Sequence, residues 1–209
     1  MDQNTPPVNP SESDLWESGY DSTKQPGFFT KLRGHFIDFI QTFVVFAAIF
    51  ALIYLFIAQP HKVSGNSMFP TFHNADYILT DKLSYHLSPP KRGDVIVLKN
   101  PQDESQDFIK RIIAVPGDTV KLENNQVFVN GQVLNEYYLP PNTQTHAGAY
   151  ITEGTTVTTG PDQFYVFGDN RDHSSDSREW GVVPKKDIIG KVFLKYWPPE
   201  SFGIFKPLP

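Results

Sequence analysis

Hydrophobic residues in this chain form one long run near the N-terminus and many short runs after it. Residues 39–58 read FIQTFVVFAAIFALIYLFIA, about 20 positions without a charge, which is long enough to cross a hydrocarbon core of roughly 30 Å as a helix. Gln59 and Pro60 end this run. The pattern therefore predicts one transmembrane helix, which we place at residues 35–59.

Residues 1–34 differ in composition from this run. They are rich in Pro, Ser, Asn and acidic residues, and their basic residues Lys24, Lys31 and Arg33 lie toward the apolar run, so we expect a disordered tail with a basic end beside the membrane. A cleaved secretory signal peptide is the competing interpretation, but the preceding region is too long and no small-x-small cleavage site follows. An uncleaved anchor is favoured. Because the basic residues precede the span, we expect a cytoplasmic N-terminus and an extracytoplasmic domain over residues 60–209.

After the anchor, the pattern is that of β-strands throughout. Short apolar or alternating runs predict strands at residues 77–80, 95–98, 108–115, 119–123, 126–129, 132–134, 163–167 and 188–196. Asn130 and Gly131 give a strong hairpin signal. Residues 135–160, rich in Pro, Thr and Gly, predict a loop with one or two weak strands. No helical period of useful length appears outside the anchor, so we expect a mainly β domain built from antiparallel sheet.

Charge and composition exclude several classes of function. The net charge of −5 does not indicate a positive electrostatic potential that would attract nucleic acid, so we expect no nucleic-acid partner. The chain has no cysteine, which excludes disulfides, thiolate catalysis and cysteine-ligated metals. Its 6 histidines lack the i, i+4 pairing of a zinc helix. We therefore expect neither a metal nor a cofactor.

Ser67 lies on a short turn that begins only a few residues after the apolar run. It follows the flexible pair Gly65 and Asn66 and comes three residues before Pro70, whose φ is fixed, so its hydroxyl sits on a conformationally defined turn. An ordinary surface turn would have the same pattern. The position close to a membrane surface favours a nucleophile.

Lys110 lies in a predicted strand that is otherwise apolar. Period-two alternation places Phe108, Lys110, Ile112 and Ala114 on one face, so the ammonium has apolar neighbours. Desolvation disfavours the charged form and lowers the pKa of such a lysine, as a functional site would require. The alternative, which the segment alone leaves open, is a lysine that reaches water from an edge strand.

Four segments of the chain, in this order, resemble the type I signal peptidases: SMFPT at 67–71, RGDVIV at 92–97, KRIIAVPGD at 110–118 and GDNRDHSSDSR at 168–178. The resemblance covers nearly all of residues 43–196. It implies a membrane-anchored serine endopeptidase with a signal-peptidase or LexA-like β fold, which removes signal peptides from exported preproteins after Ala-x-Ala sites. The partners it implies are preproteins and the lipid bilayer of a plasma membrane or a thylakoid-type internal membrane, without an obligate protein partner.

The resemblance also implies the roles of individual residues. Ser67 would be the nucleophile and Lys110 the general base. Some relatives have a serine two positions before the nucleophile as a second oxyanion donor, but this chain has Gly65 there, so we expect oxyanion donors from the backbone of Ser67 and Gly65. The supporting residues would be Ser174, which would hydrogen-bond and orient Lys110, with Asp169, Asp176, Arg178 and Arg111 as bracing salt bridges. The substrate pockets would be lined by Val63, Met68, Phe108 and Ile109.

Two other functions fit parts of the sequence. A Ser-Lys autoprotease of the LexA-repressor type shares the dyad and a related fold, but the anchor and the absence of a helix-turn-helix argue against it. An anchored β module, or a signal-peptidase relative without activity, would not need Ser67 and Lys110. Both residues are present in this chain.

Overall fold

The computed structural model describes residues 27–205, so the expected tail lies outside the description as far as residue 26. The chain divides into two compact units, one ending at Phe50 and the other beginning at Ala51. Helix α1 spans Phe28–Leu52 and continues as a π-helical turn over Ile53–Ile57.

Helix α1 fits a membrane anchor. Its segment Leu32–Leu52 has a mean hydropathy of 1.9, and its most apolar window is not buried within the molecule. The helix begins at Phe28 rather than at residue 35, because lysine and arginine are good helix formers and no proline follows Pro26 in this segment. Helical geometry ends at Ile57, and Gln59 and Pro60, expected at the end of the helix, lie in a strand.

Residues 58–204 form a mainly β domain. The strands in the described chain are β1 (Ala58–Lys62), β2 (Tyr77–Asp81), β3 (Val95–Asn100), β4 (Asp103–Ala114), β5 (Thr119–Glu123), β6 (Gln126–Val129), β7 (Gln132–Val133), β8 (Thr156–Thr158), β9 (Gln163–Phe167), β10 (Val183–Pro184), β11 (Ile188–Trp197) and β12 (Gly203–Ile204). Two single-turn helices, α2 (Ser84–Leu87) and α3 (Ser177–Trp180), interrupt them. Every strand predicted from the sequence is confirmed, and β8 is the weak strand of the 135–160 region. The prediction missed β1, β10 and β12.

The strands form two antiparallel sheets. The larger has the order β1-β2-β11-β3-β4-β9-β10, with β12 paired to β11, and the smaller has the order β7-β6-β5-β8. In the larger sheet β4 pairs with β3 along most of its length, but β9 joins its other edge only from Arg111 onward. The edge of β4 before Arg111 is therefore left without a strand partner in the described chain.

Three apolar clusters fix these sheets. The first lies beneath the turn that carries Ser67, and its buried members are Val63, Met68, Phe72, Ile78, Val95, Val97 and Val192. The second lies where β3, β4 and β9 meet: Ile96, Leu98, Ile112, Phe164, Val166 and Val183. The third joins β4 and β9 to the smaller sheet: Ile113, Ala114, Val120, Leu122, Val127, Val129, Ile151, Tyr165 and Phe167.

The predicted alternation along β4 holds only as far as Ile112. Ile109 packs against the first cluster, whereas Ile112 belongs to the second and Phe108 packs against it. A register shift between Ile112 and Ala114 then places Ile113 and Ala114 together in the third cluster. The prediction that Ala114 shares a face with Lys110 is therefore wrong, because a β-bulge breaks the period of two.

Gly190 permits the close approach of β11 to β2. A Cβ atom at this position would lie 2.4 Å from the carbonyl oxygen of Asp81, a backbone atom that can move only with its strand. We expect Gly190→Ala to destabilise the folded protein by about 1–3 kcal/mol, as overpacking of a tight site does. Thermal unfolding in detergent measures the loss.

Gly203→Ala is the matched control, because a Cβ atom there would come no closer than 3.8 Å to its nearest neighbour, Ser201 O. Its melting temperature should stay near that of the wild type. Equal melting temperatures for the two variants would contradict the close packing of β11 on β2.

Candidate active site

The structure brings Ser67 and Lys110 into contact. Ser67 lies in the turn between β1 and β2, and Lys110 projects from β4. Lys110 Nζ donates a hydrogen bond to Ser67 Oγ over 2.9 Å and a second to the carbonyl oxygen of Ile109 over 3.1 Å. The two residues that the sequence singled out separately therefore form one site.

The Ser67 turn is fixed by a buried side chain and by two backbone hydrogen bonds. Met68 is 1% exposed and anchors the turn in the first apolar cluster. Phe69 N donates to Asn66 O over 3.1 Å, and Phe72 N donates to Met68 O over 2.9 Å. Gly65 has a φ of +89°, a conformation that L side chains rarely adopt. The turn thus presents the serine hydroxyl in one defined direction.

Lys110 is buried, with 3% of its surface exposed. This burial lowers the pKa of its ammonium group to about 8, because the charged form loses its hydration. Asp176 and Asp169 act in the opposite direction, and the positive charge of Arg178 adds to the lowering. Lys110 Nζ also lies 4.9 Å from the ring centre of Phe108. At neutral pH a usable fraction of this lysine is uncharged.

Asp169 and Arg111 form a buried ion pair beside the site. Arg111 Nε donates to Asp169 Oδ1 over 2.8 Å and Arg111 Nη2 donates to Oδ2 over 2.7 Å. Thr71 Oγ1 donates to the same carboxylate over 2.6 Å, which ties the chain just after the Ser67 turn to the loop that follows β9. The guanidinium of Arg111 also stacks 3.9 Å from the ring centre of Tyr138.

Asp176 and Arg178 form a second buried pair. Asp176 caps α3 and accepts from Arg178 Nε over 2.8 Å and from Arg178 Nη2 over 2.9 Å. Its carboxylate also accepts from Gly168 N over 2.9 Å, and Arg178 Nη2 donates to Arg171 O over 2.7 Å. These bonds fold the polar run 168–178 back on itself.

Ser174 lies at the site, but the hydrogen bond to Lys110 expected of it is not formed among residues 27–205. Its Oγ is buried and has no hydrogen-bond partner among residues 27–205. A Cβ atom on Gly168 would lie 2.2 Å from Ser174 Oγ and 2.4 Å from Ser67 O. Gly168 is therefore the point at which the serine turn and the polar run pack most closely, and the Ser174 hydroxyl is turned toward it.

Two other residues with predicted roles have defined surroundings in this structure. Gly65 N–H, predicted as an oxyanion donor, donates to Asn74 Oδ1 over 3.0 Å. Met68, predicted to line a substrate pocket, packs in the first apolar cluster beneath the turn, and its place in a pocket wall stays a prediction. Ser67 N–H, in contrast, has no acceptor in the described part of the chain.

A groove of about 330 Å³ leads to the dyad. Of the predicted pocket residues, Val63, Phe108 and Ile109 line it. The structure adds residues that the sequence did not single out: His61, Ile78, Val97, Asp107 and His173. The groove runs between the segment 61–67 and the open edge of β4. Across it His61 Nδ1 and Asp107 Oδ2 are 3.9 Å apart, and burial lowers the pKa of His61.

Sequence reasoning also missed several residues that hold the site together. Arg171 pairs with Glu136, donates to Gly168 O over 3.0 Å and contacts Thr145. Asn170 bonds to the Ser67 turn. Arg171 and Asn170 lie within the polar run that was already a candidate, whereas nothing in the sequence around Glu136 or Thr145 indicates that they fold back onto it.

Comparison with known proteins places this chain in a family. Residues 36–197 match the model of the family described as signal peptidase, peptidase S26. A signal peptidase I of Leptolyngbya laminosa is 34% identical over 98% of this chain and 94% of its own length. A signal peptidase I of Bacillus caldolyticus is 36% identical over 76% of this chain and 90% of its own length, and the signal peptidase I P of Bacillus subtilis subsp. natto is 34% identical over 79% and 91%. The chain therefore belongs to the signal peptidase family, peptidase S26, and is a peptide-bond hydrolase.

Proposed function

We propose that this protein removes N-terminal signal peptides from exported preproteins with a Ser-Lys dyad. The observation that carries the proposal is the contact of 2.9 Å between Lys110 Nζ and Ser67 Oγ at the end of an open groove. A buried lysine whose pKa is lowered to about 8 has the proton affinity that a general base needs near neutral pH. No other titratable side chain makes a hydrogen bond to Ser67 Oγ in the described chain.

The chemistry follows from this contact. Neutral Lys110 takes the proton of Ser67 Oγ as the oxygen attacks the carbonyl carbon of the scissile bond. Ser67 N–H donates to the oxyanion of the tetrahedral intermediate. When the intermediate collapses, the carbon–nitrogen bond breaks and the lysine ammonium gives its proton to the leaving amine. Water, deprotonated by the same lysine, then hydrolyses the acyl-enzyme and restores Ser67.

Substrate binding is expected along the open edge of β4. An extended peptide can add as a strand there, because the backbone groups before Arg111 have no strand partner on that side in the described chain. Val63, Phe108 and Ile109 provide shallow apolar walls. Walls of this kind suit small side chains at the first and third positions before the cut, as in an Ala-x-Ala site.

The anchor would place this reaction at a membrane. In this proposal α1 crosses the bilayer once, residues 1–34 contribute a cytoplasmic tail, and the peptidase domain from residue 60 onward lies on the opposite side. The helical segment Leu32–Leu52, which is long and apolar enough to cross a membrane, supports a single crossing. A preprotein whose signal peptide spans the same membrane would then present its cleavage site on the side where the peptidase domain lies.

The dyad is tested by three substitutions. Ser67→Ala and Lys110→Ala should abolish cleavage of a preprotein with an Ala-x-Ala site, because each removes one partner of the proton transfer. Lys110→Arg should also be inactive, since a guanidinium stays charged and cannot act as a base. Purified protein in detergent is assayed, with the cut mapped by mass spectrometry.

The control is the melting temperature of each variant, which shows whether it is folded. Near-normal turnover by Lys110→Ala would refute the dyad, and substantial turnover by Lys110→Arg would refute the neutral-lysine mechanism. A folded wild-type protein that makes no cut would leave the proposed function without support.

The pH dependence of cleavage should report the titration of Lys110. Because only the neutral lysine acts as a base, kcat/KM should rise about tenfold for each pH unit below its pKa and level off above about pH 8. The measurement is kcat/KM for a fluorogenic peptide between pH 6 and pH 10. A profile that is flat from pH 6 to pH 9 would contradict the assignment.

The same burial makes a prediction about stability. The pKa of Lys110 falls from an ordinary value of 10.5 to about 8 on folding, so the unfolded chain binds more protons between these values and stability rises with pH across that window. Below about pH 8 the burial of the charge costs on the order of 3 kcal/mol. Lys110→Met keeps the apolar stem and removes this cost, along with two hydrogen bonds worth about 1 kcal/mol each.

We therefore expect Lys110→Met to be inactive and about 1 kcal/mol more stable than the wild type at pH 7, with the difference lost or reversed above pH 10. Denaturant unfolding in detergent at several pH values measures it. Ser67→Ala is the control that leaves the lysine in place. A stability difference that does not change with pH would contradict the lowered pKa.

A further inference from the structure

Asn170 holds the peptide groups on both sides of Ser67. Its side-chain Nδ2 donates to the carbonyl oxygen of Asn66 over 3.0 Å, and its backbone N–H donates to the carbonyl oxygen of Ser67, also over 3.0 Å. The two residues are more than a hundred positions away from it in sequence. One residue of the polar run therefore fixes the orientation of the nucleophile's backbone.

The first of these bonds has a consequence for the oxyanion. The carbonyl of Asn66 and the N–H of Ser67 belong to one planar peptide group, in which they point in opposite directions. A donor that holds the carbonyl therefore also sets the direction of the N–H. Phe69 N is the other donor to Asn66 O, at 3.1 Å, so Asn170 supplies the contact to this peptide from outside the turn.

The chemical identity of the donor is fixed by its partner. A carbonyl oxygen only accepts hydrogen bonds, so the amide end of Asn170 that faces Asn66 O must be its NH₂ group. Asn170 itself lies two residues after Gly168, whose N–H is held by Asp176 and whose carbonyl is held by Arg171. The buried ion pairs thus position Asn170, and Asn170 positions the turn.

The backbone donor that remains for the oxyanion is Ser67 N–H. Gly65 N–H is committed to Asn74, whereas Ser67 N–H has no acceptor in the part of the chain that the structure describes. We propose that Asn170 is a positioning residue that aims Ser67 N–H at the oxyanion of the tetrahedral intermediate. This inference rests on the proposed function, because it concerns the same serine peptidase site.

A purely structural clamp would behave differently from a positioning residue. Asn170→Ala removes the side-chain donor to Asn66 O but keeps the backbone bond to Ser67 O, so the turn stays attached while the 66–67 peptide loses its outer support. The effect should then fall on the transition state, which needs the N–H, and not on substrate binding in the groove.

The experiment compares kcat, KM and two inhibitors for the wild type, Asn170→Ala and the isosteric Asn170→Asp. One inhibitor is an Ala-x-Ala peptide aldehyde. Ser67 Oγ adds to its carbonyl carbon while its proton passes to Lys110, the carbon–oxygen π bond opens, and the resulting oxygen lies where the oxyanion forms. The other is the cleaved product peptide, which fills the groove without that oxygen. Each variant is measured on the plateau of its own pH profile, so that a changed pKa of Lys110 does not enter.

For both variants we expect kcat to fall about 10- to 100-fold, less than the roughly 100- to 1000-fold cost of losing an oxyanion donor, because Ser67 N–H is misaligned and not removed. KM should change by less than about twofold. Aldehyde affinity should fall by the same factor as kcat/KM, while product affinity stays unchanged. The control is Asp172→Asn in the same loop, whose carboxylate is 67% exposed and 4.0 Å from His146, and which should keep wild-type rates.

Three results would overturn the inference: wild-type kcat in both variants, equal losses of aldehyde and product affinity, or loss of activity in the Asp172→Asn control. Unaltered product binding shows that a variant is folded, and Asn170→Asp decides the question if Asn170→Ala does not fold. A wild-type protein that cleaves no preprotein would instead overturn the proposed function, which is a separate outcome.

Discussion

The burial of Lys110 against Ser67 is the interaction on which the rest of this domain depends. An ammonium group loses several kcal/mol of hydration when it is buried, and a neutral amine avoids that loss. A base with a lowered pKa therefore requires that nearby negative charges do not strongly stabilise the ammonium form of Lys110. Asp169 and Asp176 both lie near enough to raise the pKa of Lys110, yet it remains lowered to about 8.

The two arginines explain how this balance is kept. Each carboxylate is engaged by a guanidinium through two hydrogen bonds, Asp169 by Arg111 and Asp176 by Arg178. The negative charge of each carboxylate is therefore largely balanced by its own arginine. The carboxylates act mainly as acceptors that hold loops together: Asp169 accepts from Thr71, and Asp176 accepts from Gly168. The ion pairs thus hold the site together without raising the pKa of Lys110 to its ordinary value. The same framework leaves β4 with an open edge at the residues just before Lys110, where a peptide can lie.

Local sequence patterns predicted most of the strands, though not β1, β10 and β12, and they singled out Ser67 and Lys110, which lie 2.9 Å apart in the structure. Ser67 lies on a defined turn and Lys110 among apolar neighbours, and each could be recognised from a few adjacent residues. The surroundings of Gly65 and Met68 could not be predicted from local patterns. Whether a backbone N–H is free, or which way a side chain points from a turn, depends on residues such as Asn74 that are distant from the motif or that pack beneath it. The bulge in β4 and the contact of Glu136 with Arg171 are equally long-range.

The central claim is that burial lowers the pKa of Lys110 enough to leave a usable fraction of it neutral near physiological pH, and its titration tests this most directly. Protein labelled with ¹³C at lysine Cε is titrated by NMR in detergent, and the resonance of Lys110 is identified by its absence in Lys110→Met. The account predicts a midpoint of about 8. A midpoint near 10.5, the ordinary value for a lysine, would contradict it.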